Sequence, residues 1–137
     1  MDADDEQRAI TESLERCAER AGDLVPPVFE RFFAHDPAAH DLMRHSDQPM
    51  QGRMFEGVLD LLLSDEHFGP GGYLDWELDN HLDAYAATPA MYRSFFDAVL
   101  AVVQDALGAD WTAHYAAAWQ ARVARIMAQV DAHHKAV

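Results

Sequence analysis

Apolar residues recur every three to four positions along almost the whole chain, and no segment alternates with period two. That pattern fits helices packed on helices and leaves no material for a sheet. Proline and glycine cut it into pieces. The first helix is expected from about Asp5 to Ala21, with Ile10, Leu14, Cys17, Ala18 and Ala21 on its apolar stripe and Gly22 at its end. A second is expected near Pro26-Pro27, carrying Val25, Phe29, Phe32 and Phe33 inward. Asp36-Pro37 is an N-cap followed by a first-turn proline, opening a short helix through Leu42 and Met43. After the linker 44–49, another helix is expected to about Leu63, with Met54, Phe55, Val58, Leu59 and Leu62 inward. Gly69-Pro70-Gly71-Gly72 is the strongest break. Thr88-Pro89 opens a helix with the stripe Tyr92, Phe95, Phe96, Val99, Leu100 and Val103, ended by Gly108. The last is expected from near Asp110, carrying Trp111, Tyr115, Ala118, Trp119, Val123, Ile126 and Val130, with His133-His134-Lys135 as a frayed polar tail. The fold class is therefore all-α, with about six to seven helices and short connections.

A chain of 137 residues without a dividing linker is expected to form a single domain over residues 1–137. Its 24 acidic residues against 10 basic ones give a net charge of −14. Such a surface repels nucleic acid and anionic membranes, so neither is an expected partner. No apolar run reaches the roughly 20 residues of a membrane span. The acidic start Met1-Asp2-Ala3-Asp4-Asp5-Glu6 is not a signal peptide, and the single Cys17 forms no internal disulfide. A buried, reduced thiol in a cytoplasmic protein is the expectation. The acidic run of Asp60, Asp65, Glu66, Asp75, Glu77 and Asp79 reads as a solvated face. His35, His40, His45, His67 and His114 are expected to be mostly exposed.

His81 is the residue that invites chemistry. It shares one helix face with Leu74, Leu78, Leu82 and Tyr85. An imidazole on an apolar face needs a hydrogen-bond partner or a metal. Taken alone, this leaves two readings open: a core histidine bonded to a carbonyl, or an iron ligand. There is no glycine-rich phosphate loop, no paired-histidine zinc motif and no nucleophile motif.

Three stretches together resemble the globin family, in particular bacterial single-domain globins and the globin domains of flavohaemoglobins. They are Phe29-Glu30-Arg31-Phe32-Phe33-Ala34-His35-Asp36-Pro37 with Leu42-Met43; His81 with Tyr85, Pro89, Tyr92 and Phe95-Phe96; and Trp111-Thr112 with Ala118-Trp119. The resemblance runs from about Ile10 to Val130. It implies a globin-like fold, haem b (iron protoporphyrin IX) as cofactor, and His81 as the proximal ligand of the iron. Leu78, Leu82, Tyr85, Tyr92, Phe95 and Val99 would then face the porphyrin.

On the distal side the resemblance implies Phe29, Met43, Gln51, Phe55 and Val58. A register one residue earlier would instead present Met50 and Met54. Phe29 takes a position where many bacterial globins carry a tyrosine, which leaves Gln51 as the one obvious side-chain donor. Arg53 and Arg44 are candidates for pairing with a propionate, or are solvated surface arginines. His45 is a minor candidate for a sixth ligand.

The function implied is reversible binding of a diatomic gas (oxygen, nitric oxide or carbon monoxide) for carriage, storage, sensing or nitric oxide detoxification. Nothing in the chain is suited to bind flavin or nicotinamide, so redox turnover needs a separate reductase. A homodimer also stays open. The alternatives are a haem-free globin-fold sensor or regulatory module acting through a protein partner, and a peroxidase-like enzyme. The matching stretches lack the polar groups that peroxidase chemistry uses.

Overall fold

The structure is a computed structural model that describes residues 2–63 and 87–136. Within them are six α-helices: α1 Ala3–Ala21, α2 Val25–His35, α3 Pro37–Leu42, α4 Gln48–Leu63, α5 Pro89–Leu107 and α6 Ala113–Ala136. A 3₁₀ turn over Gly108–Asp110 joins the last two. Leu74, Leu78, His81, Leu82 and Tyr85, the break at Gly69–Gly72, His67 and the acidic residues from Asp65 to Asp79 lie outside the described residues. No described helix is long and apolar enough to cross a membrane.

Local chemistry sets the helix ends. The Asp2 carboxylate accepts from the Asp5 backbone N–H at 2.8 Å, so α1 begins earlier than its apolar stripe does. Asp36 accepts from the Ala39 N–H at 3.0 Å ahead of Pro37, and Thr88 accepts from the Met91 N–H at 3.2 Å ahead of Pro89. Gly22 and Gly108 end α1 and α5 at φ values of 73° and 52°, which a side chain would strain. The last helix starts at Ala113 rather than near Asp110. The 3₁₀ turn takes up 108–110, and the Thr112 hydroxyl accepts from the Tyr115 N–H at 3.1 Å. At the other end α6 continues to Ala136, so His133 and His134 are helical rather than frayed.

Helix α1 packs on α5 and α6, and α2 on α3, α4 and α5. The core runs between them through Ile10, Val28, Phe29, Phe96, Val99, Val103, Trp119 and Ile126, each at most 2% exposed. The buried stripe of α1 differs from the expected one. Ala18 and Ala21 are exposed, whereas Glu6 and Ser13 are buried beside Ile10, Leu14 and Cys17. Their polar groups are met by α6. Arg122 Nε and Arg125 Nη2 donate to the Glu6 carboxylate at 2.6 and 2.7 Å, and Trp119 Nε1 donates to the Ser13 hydroxyl oxygen at 2.9 Å. Cys17 is fully buried, and that burial pushes its thiol pKa up, so it is protonated at neutral pH. His35, His40, His45 and His114 are exposed.

Candidate functional site

Helix α2 spaces Phe29, Phe32 and Phe33 so that successive rings turn toward α5 and α4. Phe95 of α5 is the hub. Its ring centroid lies 5.3 Å from Phe29, 5.1 Å from Phe32 and 6.5 Å from Phe55 of α4, all edge-on. Edge-to-face contacts of this kind contribute about 0.5–1.5 kcal/mol each beyond the area they bury. Phe29, Phe55, Phe95 and Val99 are all buried, so three helices meet in one apolar wall.

Helix α4 is held at its start by Asp47, whose carboxylate accepts from the Met50 N–H at 2.9 Å. From there Gln51 is half-buried and Phe55 buried, while Met50 points outward at 43% exposure. Met43, Met54, Val58 and Tyr92 are partly buried against the same core. Gln51 and Gly52 face Val25, Pro26, Phe29 and Phe33 across a cleft of about 330 Å³, whose lining is completed by Asp23, Glu30 and Gln48.

The two arginines near this site differ. Arg53 is exposed. Arg44 donates from Nη1 to Asp41 at 3.1 Å and from Nε to His45 Nε2 at 3.3 Å, so guanidinium and imidazole are paired with each other on the surface. Among the described residues, no group of three or more His, Cys, Asp or Glu side chains gathers as a metal site.

Of the residues singled out from the sequence, Phe29, Phe55 and Phe95 are thus in one ring cluster, and Gln51 shares a cleft with Phe29. Met43 joins them through a residue that the sequence did not flag. Ser46 donates to the Met43 carbonyl at 2.7 Å and accepts from Gln51 Nε2 at 3.0 Å. Nothing in its sequence setting distinguishes Ser46 from an ordinary linker serine, because the contact exists only once α3 and α4 are oriented. His81, Leu78, Leu82 and Tyr85 lie outside the described residues. What α2, α4 and α5 offer is an apolar aromatic wall with an amide at its edge. This wall suits one face of a flat apolar cofactor or a small uncharged ligand.

No protein-family model matches the chain. Comparison with curated proteins likewise finds no match. Among solved structures it is similar to a protein of Pseudomonas aeruginosa PAO1 described as structurally highly homologous to a human hemoglobin. The TM-score is 0.78 at 19% identity, over 93% of this chain and 97% of that one. Identity this low speaks for the fold alone, and it agrees with the helix order and packing above: the chain has an all-α, globin-like fold.

Proposed function

We propose that this protein is a haem-binding globin that takes a diatomic gas at an iron ligated by His81. The observation that carries the reading is the convergence of Phe29, Gln51, Phe55 and Phe95 from α2, α4 and α5 within a globin-like fold. Haem, when bound, supplies an iron that accepts oxygen, nitric oxide or carbon monoxide.

The chain's own residues would do the rest. Phe29, Phe55, Phe95 and Val99 exclude water and offer an apolar face. Gln51 supplies an amide at the edge of that face. Met43, Met54, Val58 and Tyr92 fill around it, with Leu78, Leu82 and Tyr85 assigned to the side of His81 by the sequence. Arg53, exposed and close to Gln51 in sequence, is the candidate cation for a propionate. Redox turnover would draw on a separate reductase.

An absorbance spectrum of the purified protein, with and without carbon monoxide, tests this. A Soret band that shifts with carbon monoxide is the expected result, and His81→Ala should abolish it. A wild-type protein that takes up no haem would instead support a haem-free module acting through a protein partner.

A further inference from the structure

Gln51 is tied to the turn before its own helix. Its Nε2 donates to Ser46 Oγ at 3.0 Å, and the Ser46 hydroxyl donates to the Met43 carbonyl at 2.7 Å. A serine hydroxyl carries a single proton. With that proton directed at Met43, Ser46 can only accept from Gln51. In this arrangement the nitrogen end of the amide faces Ser46. The turn itself is fixed, because the Ser46 backbone N–H also donates to the Met43 carbonyl at 2.9 Å and Asp47 caps α4 beside it. The same Gln51 side chain lines the cleft between α2 and α4, whose rim includes the exposed Asp23 and Glu30.

The geometry points to Ser46 as a positioning residue that parks the Gln51 amide at the edge of the cleft and so weakens it as a donor to bound gas. This rests on the gas-binding reading given above. An amide has two N–H groups, and one is held here by a partner tethered five residues away in the same chain. Turning that N–H toward a gas molecule exchanges one neutral hydrogen bond for another, so the net gain is small. Remove the Ser46 hydroxyl and the exchange cost disappears, while α4 keeps its Asp47 cap. Ser46 would then govern how strongly the pocket prefers oxygen, which profits from a donor, over carbon monoxide, which profits less.

The test is a mutant cycle read by stopped-flow gas dissociation and by the Gln51 side-chain amide resonances in NMR. Ser46→Ala should slow oxygen release by roughly 2- to 10-fold, the worth of one neutral hydrogen bond, with carbon monoxide release unchanged. It should also shift the Gln51 amide resonances. Ser46→Thr keeps the hydroxyl and should restore wild-type rates and resonances. In a Gln51→Leu background Ser46→Ala should change nothing, which a purely structural role of Ser46 would not produce.

Oxygen release in Ser46→Ala equal to wild type, or altered equally in both backgrounds, overturns the inference while leaving the gas-binding reading intact. A wild-type protein without haem overturns that reading and the gas role of Ser46 with it. In that protein, Gln51 resonances that do not move in Ser46→Ala would overturn the hydrogen-bond relay as well.

Discussion

Glu6 is 5% exposed and Arg122 fully buried, a placement that charged side chains reach only in company. Glu6→Ala would remove the carboxylate from a fully buried guanidinium. Breaking one side of a buried pair costs on the order of 3–5 kcal/mol, which should appear as a large drop in the urea midpoint with little change in slope. Ser13 is a smaller case. Its hydroxyl donates to the Ile10 carbonyl at 2.7 Å and accepts from the Trp119 indole, so Ser13→Ala leaves a buried N–H without its acceptor. A loss of about 1–3 kcal/mol is expected, measured the same way. On the proposed gas side, Phe29 lines the cleft it shares with Gln51 and has no hydroxyl. Phe29→Tyr should slow oxygen release by about 2- to 10-fold by adding a donor. Unchanged release would place the gas away from Phe29.

At the scale of helices, the ends matter most because each is held by one or two side chains. Helix α5 brings Phe95 and Val99 to the site, and Thr88 starts it. Thr88→Ala should lower stability by about 0.5–2 kcal/mol, seen as a lower melting temperature. At its other end, Arg20 of α1 donates to the Leu107 carbonyl at 3.0 Å and pairs with Asp110, covering carbonyls that a helix terminus leaves open. The hydrogen bond from Arg20, followed by its charge, holds the Asp110 carboxyl below its ordinary pKa. A depressed carboxylate pKa stabilises the fold above the unfolded value, near 3.9, and that contribution vanishes as pH falls through the folded pKa. Asp110→Asn should therefore melt below wild type at neutral pH, and the gap should narrow as pH falls below about 3.9 and close once the folded pKa is passed. The pair is exposed, so the gap is expected to be small and to shrink with salt.

For the molecule as a whole, the gas-binding reading predicts that cofactor and fold are linked. A ligand that binds only the folded state adds stability by mass action, about 4 kcal/mol at a thousandfold excess over Kd. Protein loaded with haem should melt well above protein stripped of it, and equal melting temperatures would favour the haem-free module.

The sequence alone determined the helical class, the breaks at Gly22, Asp36-Pro37, Thr88-Pro89 and Gly108, and the inward aromatics Phe29, Phe55 and Phe95. Caps and periodic stripes act within one or two turns, and such interactions are written in neighbouring residues. Tertiary structure decided the rest. Glu6 and Ser13 are buried because Trp119, Arg122 and the packing of α6 meet them from more than a hundred positions away in sequence, and the stripe of α1 accordingly includes them and leaves Ala18 exposed. No local pattern encodes a partner at that distance. The Ser46 contact to Gln51 is local, five positions apart, yet it became visible only with the turn geometry, in which Ser46 bonds back to the Met43 carbonyl and Asp47 caps α4.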